Sequence, residues 1–310
     1  MKNKKILFRA DSSSSIGTGH IMRDLVLATQ YPDSEIIFAT QNLEGNLNAK
    51  IVESGYQVKH LLSNELEELV NMVNELQIEM IVIDHYGIDY AFEKALKEQT
   101  DITIMVLDDT YEKHHCDILL NHNIYGDATR YEGLVPTSCE LRCGEEYTLI
   151  RDEFKIAKAN KKPLPSKPIT LFVAMGGSDS QGLTLPILEV LEKFSDVRVH
   201  VVTTHANAQL EMLKTYVKKH TNITLHIDTN QMANLMAQSH IAILTPSVIL
   251  NEASFMELLF IPIQTADNQK EMVVFLEANE YPVIKTFDAE VLFATLHEFI
   301  WFYNQRNGHE

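Results

Sequence analysis

The stretch DSSSSIGTGHIMRD, residues 11–24, places an acid, four serines, two glycines and a histidine directly after an apolar run. Gly17 and Gly19 permit a left-handed backbone and close approach of a ligand, and a helix starting near His20 aims unpaired N–H groups into the same space. An imidazole at such a helix start is biased toward its neutral form, because the positive dipole end disfavours a second positive charge; that suits a general base near neutral pH. Asp11 is the acid expected to orient the ring, and the hydroxyls of Ser13 and Ser14 suit a polyhydroxylated or amide-bearing ligand. The competing reading is a histidine that caps the turn or bonds a neighbouring carboxylate, with the serines in a solvated turn. The pattern is not a dinucleotide fingerprint, since GxGH has neither the third glycine nor an acid about 20 residues on.

A second stretch, AMGGSDSQG at residues 174–182, reads as a nest-forming turn into a helix whose N–H groups can hold a pyrophosphate; a tight structural turn is the alternative. It lacks the lysine of a P-loop, which disfavours Mg²⁺-dependent triphosphate hydrolysis. A third, ILTPSVILNEASF at 243–255, offers Thr245 as an N-cap, Pro246 as the first helical residue, and Glu252 two turns in. A carboxylate there can accept both hydrogens of a ribose diol, or simply lie on a solvated helix face. His114, His115 and Cys116 suggest a metal, but adjacent residues rarely point at one ion and the usual ligand spacings are missing. Asp108–Asp109 suits either Mg²⁺ or a strand-end turn.

These residues need strands and helices to carry them. The chain has 310 residues, 45% hydrophobic and 22% charged, enough for about two domains. Short apolar runs alternate with amphipathic helical stretches, the pattern of parallel sheets covered by helices, so the fold class is α/β. The two halves open alike, with a buried strand, a Ser/Gly-rich turn and a helix, which predicts two Rossmann-like domains facing across a cleft. IAKANKKPLPSKP, residues 156–168, holds three prolines and four lysines and reads as a linker. The expected division is therefore 1–155, linker 156–168, 169–286, and a helical extension at 287–310 in which Trp301, Phe302 and Tyr303 serve packing. Lys+Arg 26 against Asp+Glu 43 gives a charge of −17, which repels nucleic acid and anionic lipid. No apolar run of about 18 residues and no signal peptide is found, so a cytoplasmic protein without a membrane partner is expected. Cys116, Cys139 and Cys143 are odd in number and form no CxxC pair, so neither a disulfide framework nor a zinc motif is indicated.

FRADSSSSIGTGHIMRDLVLA, IDHYG, HHCDILLN, YEGLVP, LRCG, LIRDEF, AMGGSD, LNEA and DNQ occur in this order over residues 4–285. Together they resemble the UDP-2,4-diacetamido-2,4,6-trideoxy-β-L-altropyranose hydrolases of bacterial pseudaminic acid biosynthesis. That family is similar to two-domain, GT-B-fold glycosyltransferases but transfers its sugar to water. The resemblance implies metal-independent, inverting hydrolysis at C1 with release of UDP, no cofactor, and no partner besides the UDP-sugar and UDP; the freed sugar would continue toward glycans such as those on flagellin. It makes His20 the water-activating residue and Asn268 a second catalytic residue near the sugar or its phosphate. It makes Tyr86 a sugar contact, places Gly177, Ser178 and Asp179 at the diphosphate and Glu252 on the ribose, and brings the backbone of Ile227 to the uracil. Asp11, Ser13, Ser14, Gly17, Gly19, Arg151, Gly176, Ser247, Asn251 and Gln269, in or beside the matched stretches, are expected as further substrate contacts. The alternatives are an inverting UDP-sugar glycosyltransferase of the same fold, a non-catalytic nucleotide-sugar binder, and an epimerase that keeps UDP attached.

Overall fold

The computed structural model describes residues 4–307; the expected domain ends at 1–3 and 308–310 lie outside the described residues. The chain divides into two compact units, Met1–Leu149 and Ile150–Glu310. The first holds strands β1 (Lys5–Ala10), β2 (Glu35–Gln41), β3 (Gln57–Leu61), β4 (Met80–Asp84), β5 (Thr103–Leu107), β6 (Ile118–Asn121) and β7 (Glu140–Cys143). Helices α1 (Gly19–Ala28), α2 (Asn48–Glu53), α3 (Leu66–Leu76) and α4 (Tyr90–Thr100) connect them. All strands run parallel in the order β3-β2-β1-β4-β5-β6-β7. Both sheet faces are covered, which is why the strands read as unbroken apolar runs rather than alternating ones. Leu7, Ile81, Ile104 and Leu119 face a core shared with Leu69, Val73 and Leu96, while Phe8, Val82 and Met105 face Ile21 and Leu27 of α1.

The second unit opens with α5 (Asp152–Ala159), then β8 (Ile169–Ala174), α6 (Thr184–Leu191), β9 (Val197–Thr203), α7 (Leu210–Val217) and β10 (Ile223–Ile227). It continues through α8 (Met232–Ala237), β11 (Ile241–Leu244), α9 (Val248–Phe255), β12 (Leu259–Pro262), α10 (Lys270–Ala278) and α11 (Ala289–Asn307). Its parallel sheet has the order β10-β9-β8-β11-β12.

Three expectations change. Residues 156–159, read as the start of a linker, complete α5, and the contact division falls at 149/150 rather than 155. Phe154 and Ala157, three apart on one helix face, are buried, and Lys158 and Lys161 donate to the carbonyls of Phe255 and Met256 at 2.7 and 2.9 Å. The lysines thus serve the carboxyl end of α9, where cations are favoured. Helix α9 starts later than expected: its N-cap is Ser247, not Thr245, and Pro246 precedes the helix. In α11 the buried face is made by Leu292 and Leu296, and Tyr303 packs edge-on to His240 at 4.8 Å. Trp301 and Phe302, expected to pack, face solvent at 53% and 58% exposure, because the helical period turns them away from that stripe. Strand β7, which overlaps the LRCG stretch, is short and sits at the sheet edge.

Candidate active site

In each sheet the chain order reverses beside the first strand, between β1 and β4 in one unit and between β8 and β11 in the other. At such switch points the connecting loops diverge and leave a crevice beyond the strands' carboxyl ends. In the first unit the loop after β1 closes on itself: Gly17 N–H donates to Ser13 O at 2.8 Å, and Ser13 Oγ accepts from Ile16 N–H at 2.9 Å. Gly17 has φ +88°, a conformation costly for other residues, and no atom lies within 4 Å of where its Cβ would be. Ser14 is tied to the Glu44 carbonyl and is exposed. Helix α1 then begins at Gly19 with no side-chain cap, so its first N–H groups stay available.

His20, in the first turn, is 8% exposed. Its Nδ1 lies 2.7 Å from Asp84 Oδ1 at the end of β4. Asp84 is fully buried; burial alone would raise its pKa, but the guanidinium of Arg23 and the ring of His20 outweigh it and hold the acid well below the usual carboxylate range. A carboxylate only accepts, so Nδ1 carries a proton toward Asp84, and no described residue hydrogen-bonds Nε2. The orienting acid is therefore Asp84 and not Asp11, the residue expected for that role. Asp11 is 1% exposed and accepts from Arg9 at 2.7 Å and from the Gln41 N–H at 2.6 Å, with His85 Nε2 at 3.2 Å, which fixes the end of β1. Arg23, one turn after His20, donates through Nε to Asp84 Oδ2 at 2.6 Å and through NH1 to Asp109 Oδ2 at 2.9 Å. Tyr86, 60% exposed, donates to Asp109 Oδ1 at 2.9 Å and packs edge-on to the His20 ring at 4.9 Å. Although the residue as a whole is largely exposed, desolvation of its hydroxyl end and the neighbouring Asp109 charge raise the Tyr86 pKa, so its hydroxyl keeps its proton.

Sequence reasoning missed Asp84, Arg23 and Asp109 as members of this cluster. Arg23 carried a signal, the i, i+3 spacing from His20 that puts both on one helix face. Asp84 and Asp109 carried only their places at strand ends. Behind them lie Asp24 and His122, both buried with their side-chain polar atoms unpartnered. Burial and the Asp84 charge push Asp24 up, while burial and the Arg23 charge push His122 down to about 4.

The pair His114 and Asp108 belongs to the frame. His114 Nδ1 lies 2.7 Å from Glu93 Oε1, and Asp108 accepts from Tyr131 and Thr110. Burial opposes charge on His114, but the Asp108 carboxylate, 3.8 Å from Nε2, and the hydrogen-bonded Glu93 win and lift it to about 9. A histidine raised from an ordinary 6.5 to about 9 on folding adds stability that is fully present below pH 6.5 and lost as pH rises through 9. His114→Gln is thus expected to cost on the order of 3 kcal/mol at pH 6 and much less at pH 9.5, read by urea unfolding at both pH values. An equal cost at the two pH values would refute the charged state.

In the second unit the turn after β8 exposes Gly176, at φ +82°, together with Gly177 and Ser178. Gly177 O accepts from Thr204 N–H and Oγ, which binds this turn to the loop after β9. Asp179 does not project toward a ligand: its two oxygens accept the N–H groups of Leu183 and Thr184 at 2.9 Å each, capping α6. Glu252 is not on a solvated face either. It is 5% exposed and takes a two-pronged bond from Arg151, at 2.8 and 3.1 Å. Burial raises its pKa and Arg151 only partly opposes this. Asn251 beside it is buried, Ser247 Oγ lies 3.1 Å from Thr245 Oγ1, and Ile227 ends β10. Asn268 is exposed in a single 3₁₀ turn after β12. Its neighbour Gln269 is a loop staple, accepting from the N–H groups of Thr265 and Ala266 at 2.8 and 3.2 Å, which leaves Asn268 as the projecting member of the pair.

Comparison with known proteins was made on sequence and on structure. No protein-family model matches the chain. In structure it is similar to MurG of Acinetobacter baumannii, with a TM-score of 0.64 at 12% identity over 97% of this chain and 95% of that one. It is also similar to the spinosyn rhamnosyltransferase SpnG, with a TM-score of 0.65 at 10% identity over 96% and 91%. Two parallel-sheet α/β units with such neighbours define a protein of GT-B-like fold. In sequence the chain is 43% identical over 280 residues, 90% of its own length and 98% of the relative's, to the UDP-2,4-diacetamido-2,4,6-trideoxy-β-L-altropyranose hydrolase of Campylobacter jejuni. The chain belongs to that hydrolase family.

Proposed function

We propose that this chain hydrolyses UDP-2,4-diacetamido-2,4,6-trideoxy-β-L-altropyranose to UDP and the free sugar, as a step in pseudaminic acid biosynthesis. The observation that carries the chemistry is His20, with Nδ1 held by Asp84 at 2.7 Å and Nε2 unengaged at the β1/β4 switch point. Nε2 takes a proton from water as the water oxygen bonds to C1; the bond from C1 to the phosphate oxygen breaks and UDP departs with its electron pair. Attack on the face opposite the leaving group inverts C1, and the oxocarbenium character of the transition state lets one activated water suffice.

The first unit then supplies the base and, through Tyr86, a sugar contact; the second holds UDP. N–H groups of the Gly176–Ser178 turn stabilise the departing diphosphate, and Asn268 supports the sugar or phosphate. No metal is required, because the leaving group is already a stabilised anion and Asp109, the exposed-side acid of the cluster, is engaged by Arg23 and Tyr86. A charge of −17 argues against nucleic-acid and lipid partners, and no helix among the described residues is long and apolar enough to cross a membrane; we place the activity in the cytoplasm.

Glu252 still has lone pairs free when Arg151 occupies one edge of its carboxylate, so it can accept from a ribose diol. Glu252→Gln is expected to weaken UDP binding about ten- to hundredfold, the scale of a charge-assisted hydrogen bond. Calorimetric titration with UDP checks it, and an affinity within twofold of the parent would remove the ribose role. The reaction itself is tested by NMR of the products in chelator without any acceptor. Free sugar appearing first as the inverted anomer supports the proposal, whereas UDP release that needs an acceptor hydroxyl or added Mg²⁺ overturns it.

A further inference from the structure

His20, Asp84, Arg23, Asp109 and Tyr86 form a closed circuit. The imidazole bonds Asp84, Asp84 takes two prongs of the Arg23 guanidinium, the third reaches Asp109, Asp109 accepts the Tyr86 hydroxyl, and the Tyr86 ring returns to the imidazole. Arg23 is 6% exposed, and its NH2 lies 3.1 Å from His20 Nδ1, so a fixed positive charge sits against the ring it helps to orient. We propose that Arg23 is a positioning residue that joins the catalytic imidazole to Tyr86 and balances the two carboxylates, so that His20 is held with a free lone pair on Nε2. This rests on the assignment of His20 as the base.

The argument is electrostatic as well as geometric. The charged and titratable groups around the ring are Asp84 on β4, Arg23 and Asp24 on α1, Asp109 after β5, Tyr86 after β4 and His122 after β6. Asp84 and Arg23 meet the imidazole directly, and Asp109 is linked to it through Arg23 and Tyr86. An imidazole with only Asp84 beside it would be drawn toward the protonated form, which cannot accept a proton from water. Arg23 opposes that pull while sharing the same carboxylate, and its fork allows Asp84 little rotation.

Two substitutions should therefore move the acid limb of the kcat profile in opposite directions. Arg23→Gln leaves two carboxylates unopposed and is expected to shift the limb up by about one to three pH units, the usual effect of a nearby charge. Asp109→Asn removes a negative charge and is expected to shift it down. Arg23→Lys, which keeps the charge without the fork, should lower kcat with the limb near its parent position. KM should change far less than kcat in all three. NMR titration of the His20 ring gives the same shifts without relying on turnover. If the limb and the ring titration of Asp109→Asn stay at the parent position, the role assigned to Arg23 is overturned; this holds even where Arg23→Gln fails to fold, because Asp109→Asn leaves the Arg23–Asp84 pair intact. Undiminished hydrolysis by His20→Ala would instead sink the assignment of the base, so the two failures are told apart.

Discussion

His20→Ala or His20→Phe is expected to lower kcat by about 10²–10⁴-fold, the contribution of a well-placed general base. At the transition state this is roughly 3–5 kcal/mol. Phenylalanine is the sharper variant, since it preserves a ring for Tyr86 to pack against at 4.9 Å while removing both nitrogens. UDP affinity should be unchanged, because the proposed nucleotide contacts lie in the other unit. Steady-state release of UDP together with calorimetric UDP binding checks both statements. A variant that keeps a tenth or more of parent kcat would show that water is activated elsewhere.

The second large effect is expected at Asp84, whose carboxylate is the acceptor for both His20 and Arg23. Asp84→Asn keeps the shape but exchanges one oxygen for an N–H₂ donor. Turned one way, that donor faces the Nε–H of Arg23; turned the other way, it faces His20 Nδ1 and the second Arg23 prong. In the latter orientation the ring is driven to carry its proton on Nε2, the atom that must be free. A loss of about 10²–10⁴ in kcat is expected, comparable with disabling the base itself. Leaving a buried guanidinium short of a partner should also destabilise the fold by roughly 3 kcal/mol. Nitrogen-15 NMR of the imidazole reads the tautomer directly, and a parent-like tautomer with parent-like kcat would exclude Asp84 as the orienting acid. Because burial and the Asp84 charge together raise the Asp24 pKa, Asp84→Asn should also let Asp24 titrate lower.

Legibility in the sequence follows the range of the interaction. Gly17, Gly19 and His20 could be read together because a strand, a sharp turn and a helix start are local events, and the expected helix start near His20 falls within a residue of α1. Arg23 lies within the same local reach, three residues after His20 in α1, a spacing that puts both on one helix face. Asp84 could not be chosen over Asp11. It is 64 residues from His20, and the two acids end neighbouring strands, with Ala10 paired to Asp84 in the β1–β4 register. Which acid meets the imidazole depends on which sheet face each points to.

A similar ambiguity governs the second unit. Asp179 and Glu252 were visible as acids near glycines and a helix, but whether a carboxylate caps a helix, meets an arginine or faces a ligand depends on the backbone around it. Asp179 turned inward to cap α6, and Glu252 was claimed by Arg151, 101 residues away. The proline- and lysine-rich stretch misled for the opposite reason. Its composition outweighed a helical face of only two buried residues, Phe154 and Ala157, that packing on the rest of the unit makes stable.

What the chain determines unaided is the α/β class, the two glycine-turn-helix junctions and the candidate base, since apolar periodicity and turn chemistry act over a few residues. Only the tertiary structure decided which acid bonds the His20 imidazole, which arginine spans two carboxylates, and which expected ligand contacts are already occupied. Those choices rest on strand order and side-chain direction, and a parallel sheet brings together strand ends that lie scores of residues apart.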